Sequence, residues 1–167
     1  MTLRALPAVA VAAAALLSAC QPTPRRDPAD VADVRRWMAS EFTTEQLRTK
    51  LFYDVMTSFC GYSNPNRERI AEIIGLRAMA HRQGDLAAQY IETAMLEIMS
   101  AQQLKRVLAF NAPRTGPPPP MTKEDGQALH VLNVAVAAGF DRARFDLQDA
   151  ARRKAAAMPA AAGLGCE

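Results

Sequence analysis

The 167-residue chain carries 20 Lys and Arg side chains against 17 Asp and Glu, a formal net charge of +3, and half of its residues are hydrophobic. This near balance gives little support to nucleic-acid binding, which a strong basic excess usually accompanies. The length suits one domain and allows a sizeable buried core.

The first 20 residues follow the order of features found in an export signal. Arg4 is the only charge before residue 25, an apolar run follows over Ala5–Leu17, and small Ser18 and Ala19 precede Cys20. A basic start, a short apolar core and small residues before the cut are typical of a secretory signal peptide. The run is too short for a transmembrane helix, which needs about 20 residues.

The segment Leu17-Ser18-Ala19-Cys20 resembles the lipobox of bacterial lipoproteins, and the polar Gln21 follows it at once. The resemblance implies that residues 1–19 are removed and that acyl chains, palmitate among them, are attached to Cys20. Gln21 stands where an Asp would favour retention in the inner membrane, so the resemblance implies a periplasm-facing location at the outer membrane. The alternative is an ordinary signal peptide with a coincidental cysteine.

Residues 20–28 predict a lipidated tether, because their three prolines favour an extended chain. Arg25 and Arg26 either contact anionic head groups or are solvated, and solvation is favoured. Asp27-Pro28 is a helix start, with a capping carboxylate before a proline at the first helical position. A single helical domain is therefore predicted over residues 29–158, followed by a flexible tail of small residues over 159–167.

The domain is predicted to be all-α, a small bundle of five or six helices. The first helix ends near Phe42, and the capping box Thr43-x-x-Gln46 begins a second helix over 44–60. A third helix over 65–83 and a fourth over 86–110 are expected to form an αα-hairpin that turns at Gly84-Asp85. No stretch alternates in the way that a half-buried β-strand would.

A proline-rich break over 111–121 separates this hairpin from the C-terminal part, since proline cannot continue a helix. Its four consecutive prolines favour a stiff connector, and docking on an aromatic groove is the alternative. A fifth helix is expected over 123–138, ended by Gly139. A last helix is expected from Asp141 to Met158.

The sequence offers no catalytic motif. His81 and His130 lie outside the HExxH and zinc-finger spacings, and no GxSxG elbow, P-loop or dinucleotide fingerprint occurs. Glu92 and Glu97 are candidate acids only, because a carboxylate pair has to share a cleft. The sequence therefore predicts no catalytic residue, no metal and no cofactor.

Once Cys20 is lipidated, Cys60 and Cys166 are the remaining thiols. An even number of thiols in an exported protein favours a disulfide between them. Such a bond would clamp the C-terminal part of the chain onto the N-terminal helices. The alternatives are an intermolecular bridge through Cys166, two free thiols, and a composite metal site that includes both cysteines.

An apolar cluster on the second helix, made of Phe52, Met56 and Phe59, has two interpretations. Such a stripe is more often part of the core. The other interpretation is a groove for a protein partner.

These features leave two classes of function. The first is a lipid-anchored binding or assembly factor, held at the membrane through Cys20, with a protein partner in the envelope and no nucleic acid. In general architecture alone, it resembles the pilotins of outer-membrane secretins. The second is an envelope hydrolase with an unrecognised active site. A deep cleft with His81 or His130 and carboxylates would favour the hydrolase, and a shallow apolar groove would favour the binding protein.

Overall fold

A computed structural model describes residues 26–60, 65–112, 115–117 and 119–157, and this part of the chain contains helices and no strand. The all-α prediction is confirmed, and the described residues form six helices in a small bundle. The helices are α1 (Pro28–Glu41), α2 (Thr44–Cys60), α3 (Arg67–Ile73), α4 (Leu76–Ile98), α5 (Ala101–Phe110) and α6 (Lys123–Ala156). Among the described residues, no helix is both long and apolar enough to cross a membrane.

Helices α4 and α6 are the long antiparallel pair on which the other four pack. The order of contacts along them shows the direction: Tyr90 Oη donates to Asp146 Oδ2 at 2.9 Å, and further along Gly75 lies beside Lys154. Helix α1 packs near the end of α4 that finishes at Ile98, whereas α2 and α3 pack around its first half. Helix α5 packs on α1 and α6. The bundle therefore has two ends with different neighbours.

The core runs between these helices, and its largest fully buried side chains are apolar. They include Leu51, Ile74, Leu76, Ile91, Met95, Met99 and Leu104. Fully buried alanines at 87, 135 and 143 allow the helices to approach closely. Within the described residues, these buried side chains belong to one continuous core cluster.

Two glycines predicted to end helices instead lie inside them, so those two predictions are wrong. Gly84 is buried in the middle of α4, and Gly139 is buried in the middle of α6. A Cβ atom at Gly139 would lie 2.5 Å from both the Cα and the N of Ile91, and one at Gly84 would overlap the Arg48 side chain. These positions carry no side chain because another helix crosses them, and the predicted hairpin at residues 84 and 85 does not exist.

The breaks in this region lie elsewhere. Gly75 has φ of +67° and separates α3 from α4, a conformation that glycine adopts at little cost. Helix α4 then continues to Ile98, and α5 begins at a capping box in which Gln103 N donates to Ser100 Oγ at 3.2 Å and Ser100 N to Gln103 Oε1 at 2.8 Å. The expected helices over 65–83 and 86–110 are thus replaced by α3, α4 and α5.

Three predicted helix starts are confirmed by their hydrogen bonds. Asp27 Oδ1 accepts from Ala29 N at 2.9 Å before α1, and Thr43 and Gln46 bond reciprocally before α2. Thr122 caps α6 together with Asp125. Hydrogen bonds from Thr122 and then the nearby Arg106 hold the pKa of the Asp125 carboxyl below its ordinary range.

Arg26, just before α1, binds the C-terminal end of α4. Its Nε donates to Leu96 O at 2.7 Å, and a second guanidinium nitrogen bonds to Met99 O. The cation therefore caps the C-terminal end of α4, where the helix dipole favours positive charge. Of the two predicted environments for Arg26, head groups or solvent, neither is correct, because the side chain is partly buried against backbone carbonyls.

Candidate functional site

A groove lies between the second half of α2, α3 and the first half of α4. We call it the α2–α3–α4 groove, and its volume is about 970 Å³. It is lined by Phe52, Tyr53, Met56, Glu68, Ala71, Glu72, Gly75, Arg77, Ala78, His81 and Arg82.

The floor of this groove is apolar, and one wall is aromatic. Met56 and Ala71 are buried beneath it, and the rings of Phe52 and Tyr53 meet edge to face with centroids 5.2 Å apart. Tyr53 remains 52% exposed although it stands beside this apolar surface. An exposed aromatic residue next to an apolar floor is typical of a contact surface, since aromatic side chains dominate the centres of interfaces.

The rim of the groove is charged, with one sign on each side. Glu68 and Glu72 lie one turn apart on α3, and Arg77 and Arg82 lie on α4. All four side chains are exposed. The Arg77 guanidinium lies over the Phe52 ring, 4.4 Å from its centroid, which keeps that cation at the edge of the apolar floor.

The candidate chemical residues of the sequence are only partly brought together. His81 is exposed on the rim, in the same groove as Glu68 and Glu72. Glu92 instead forms an ion pair with Arg35, with Oε1 2.9 Å from Nε. His130 is exposed on α6 and Glu97 is exposed at the far end of α4, and neither lines the groove. Among the described residues, no three His, Cys, Asp or Glu side chains are placed to hold a metal ion.

A second groove, of about 740 Å³, lies between α2, α4 and α6. Its apolar lining includes Phe42 and Phe140, but the Lys50 ammonium lies 4.9 Å from the centroid of the Phe140 ring. The same ammonium is 2.8 Å from Asp54 Oδ2. Phe140 is buried and Phe42 is half-buried, so this groove presents less aromatic surface to a partner than the α2–α3–α4 groove with its exposed Tyr53.

The α2–α3–α4 groove and the start of the described chain lie at opposite ends of α4. The groove contacts α4 through Arg77, Ala78 and His81, whereas Arg26 is bound at Leu96 and Met99. At about 1.5 Å per helical residue, the two positions are roughly 25–30 Å apart. A partner in the groove would therefore bind far from the point where the chain leads back toward Cys20.

Of the three cysteines, only Cys60 lies in the described part of the chain. Cys20 and Cys166 lie outside the described residues, and the backbone of Cys60 is the last residue of α2. The end of α6 lies close to the α3–α4 turn, since Lys154 Nζ is 3.4 Å from the position of a Cβ at Gly75. Because α3 follows α2 and packs on it, the C-terminal end of α6 lies near the end of the bundle where α2 finishes.

We therefore expect a Cys60–Cys166 disulfide in the protein isolated from oxidising conditions. Mass spectrometry of a non-reduced digest should show the two cysteine peptides linked, and the denatured protein should have neither thiol open to alkylation before reduction. Cys166→Ser should free one thiol without producing a dimer. Two alkylatable thiols in the native protein would exclude the bond, and a reducible dimer lost in Cys166→Ser would make the bridge intermolecular.

Comparison of the chain with models of protein families, with curated proteins and with solved structures finds no match. The function therefore has to be inferred from the residues of this chain.

Proposed function

We propose that the protein is a lipid-anchored envelope protein that binds a protein partner in the α2–α3–α4 groove and acts as a binding or assembly factor. The observation that carries the proposal is the groove itself, which combines a buried floor at Met56 and Ala71 with the exposed ring of Tyr53. Exposed aromatic and apolar surface rimmed by charge is typical of a protein-binding surface. The pilotin-like arrangement of a lipid anchor and a compact helical body belongs to the same proposal.

The anchor in this proposal is Cys20. The segment Leu17-Ser18-Ala19-Cys20 supports lipidation, and Gln21 supports the outer membrane over the inner membrane. Each buried CH₂ contributes about 0.8 kcal/mol, so two or three acyl chains bind far more firmly than one. The contacts of Arg26 support an anchor at the end of the bundle opposite the groove, which leaves the groove accessible from the periplasm.

The alternative is an envelope hydrolase, and one observation favours it. His81 shares the groove with the carboxylates of Glu68 and Glu72. All three side chains are exposed on the rim, whereas acid–base catalysis gains from a site that excludes water. The binding function is therefore supported better. His81→Ala would abolish the activity of a hydrolase, whereas the proposed binding function depends on the apolar floor at Met56 and on Tyr53.

Site-specific photo-crosslinking in living cells tests the proposed function. Tyr53 and Phe145 are both exposed aromatic residues, at 52% and 58%, but only Tyr53 lines the groove. Replacing each in turn by benzoylphenylalanine therefore gives a probe and a control of matched shape. We expect ultraviolet light to link a discrete envelope protein to position 53 and not to position 145.

The crosslink should also depend on an open groove. Ala78 is exposed and lines the groove, whereas Ala32 is exposed on α1 and does not. We expect Ala78→Tyr to abolish the crosslink from position 53 and Ala32→Tyr to leave it unchanged. The proposed function is wrong if position 53 yields no specific adduct, or if the adduct is equally strong in the Ala78→Tyr protein.

A further inference from the structure

The charges on the rim of the α2–α3–α4 groove are separated by sign and are free to contact a ligand. Within the described residues, neither Glu68 nor Glu72 nor Arg82 forms an ion pair. The ion pair nearest to the rim, Arg48 with Asp85, is formed by two side chains that do not line the groove. The rim thus presents an acidic edge on α3 and a basic edge on α4.

We propose that the occupant of this groove is an amphipathic helix of a partner protein, with two basic side chains one turn apart on one flank and acidic side chains on the other. The proposal rests on the proposed function and names the chemistry of the partner. The apolar face of the helix would cover Met56, Phe52 and Tyr53. Its basic pair would face Glu68 and Glu72, which are themselves spaced i, i+4 on α3.

A helix fits this surface better than an extended strand. Strand addition requires a free sheet edge, and the described part of the protein contains no strand. Helix-in-groove binding requires an apolar channel between helices, and that is what α2, α3 and α4 form. The acidic pair spans one helical turn, which is the spacing at which a second helix repeats its side chains on one flank.

The charges also argue against the other occupants. Toward a bilayer with anionic lipids, repulsion from Glu68 and Glu72 would offset the attraction of Arg77 and Arg82, so the rim offers no net electrostatic binding. The chain's own residues 158–167 contain no Lys or Arg, and the segment 61–64 between α2 and α3 carries no charged side chain. Neither segment supplies the basic pair that the edge on α3 would attract.

Peptide selection against the full chain tests this inference. The protein, in the form that its cells process, is held in lipid nanodiscs so that detergent does not compete for the groove. The probe is a displayed library of helical peptides that share a leucine stripe, with Lys, Glu or Gln allowed at each flank position. We expect the selected peptides to carry Lys at i and i+4 on one flank and Glu on the other.

A double-mutant cycle then identifies the contact. A peptide helix that binds in the opposite direction, with the same face in the groove, places its two flanks on opposite edges. The cycle therefore measures which charges pair and does not measure the direction of the peptide. Replacing the Lys pair of a selected peptide by Gln should weaken binding about three- to tenfold on the wild-type protein, as expected for exposed ion pairs. The same change should have an effect below about twofold on the Glu68→Gln/Glu72→Gln protein.

Ala78→Tyr should abolish peptide binding and Ala32→Tyr should not. The inference is overturned if the selected flanks carry no charge preference, or if the loss on removing the Lys pair is equal in both proteins. It is also overturned if peptides bind only after residues 158–167 are deleted, which would make that segment the occupant, or if Ala78→Tyr dissociates a dimer. A crosslinked partner at position 53 without charge coupling would preserve the proposed function and reject this inference alone.

Discussion

Replacing Gly139 by alanine is expected to destabilise the protein by about 2 kcal/mol or more, although alanine is the better helix former by up to about 1 kcal/mol. The added Cβ would lie 2.5 Å from the Cα and N of Ile91 and 2.7 Å from the carbonyl carbon of Tyr90. These are backbone atoms, so they cannot rotate away as a side chain would. Helices α4 and α6 would have to separate along their main contact.

Gly126 provides a matched control in the same helix. A Cβ there would meet only Met121 Sδ, at 3.9 Å, which is an ordinary contact. Gly126→Ala should therefore stabilise the protein by up to about 1 kcal/mol. Gly84→Ala should fall between the two, because the obstacle is the Arg48 side chain, which can move at the expense of its hydrogen bond to His81 O.

Thermal unfolding of the full chain, followed by circular dichroism at the helical minimum, measures these changes. The Gly139→Ala protein should melt roughly 5–10 °C below the wild type, by the usual relation of free energy to melting temperature for a domain of this size. A Gly139→Ala protein as stable as the wild type would mean that the helices do not cross at this point.

These glycines also show why the helix boundaries could be predicted only in part. A glycine that ends a helix and a glycine at a helix crossing leave the same gap in the apolar pattern of one segment. What distinguishes them at Gly139 is the backbone of Ile91, which is distant in sequence. Local pattern therefore misplaced two helix ends, because the crossing of α4 with α2 at Gly84 and with α6 at Gly139 cannot be seen within one segment.

Capping, by contrast, is local, and the starts of α1, α2 and α6 could be predicted from it. The start of α5 had the same kind of signal in Ser100 and Gln103. It was hidden because buried apolar residues continue on both sides of it, at Met95, Met99 and Leu104. The apolar face alone predicts one continuous helix through this region. The cap at Ser100 instead begins a new helix there.

The sequence predicted the α2–α3–α4 groove only as one of two interpretations of the apolar cluster on α2, the other being part of the core. The cluster on α2 was expected to be core, and Met56 is indeed buried. Phe52 is only partly buried and borders the groove, while nothing is described of the Phe59 side chain. The exposure of Tyr53 beside this cluster depends on where α3 packs. The sequence of α2 alone does not determine the position of α3.

Replacing Cys20 by serine is expected to abolish lipidation and the anchoring of the mature protein at the membrane. The thiol is the group to which the acyl chains would be attached, and serine offers no thiolate. Fractionation should find the wild type with the membranes and the Cys20→Ser protein either unprocessed or soluble. Globomycin, which inhibits the lipoprotein signal peptidase, should make the wild-type precursor accumulate.

Cys166→Ser is the matched control, because it removes a cysteine and leaves the lipobox unchanged. It should stay with the membranes. The body itself has little to hold it there: without residues 1–19 it has 19 basic side chains (20 minus Arg4) against 17 acidic ones, too even a balance for electrostatic binding to anionic lipid. A mature protein whose mass shows an unmodified Cys20, or that still contains residues 1–19, would contradict the anchor. Membrane attachment of Cys20→Ser that high salt removes would instead show that the partner in the groove, and not lipid, recruits the protein.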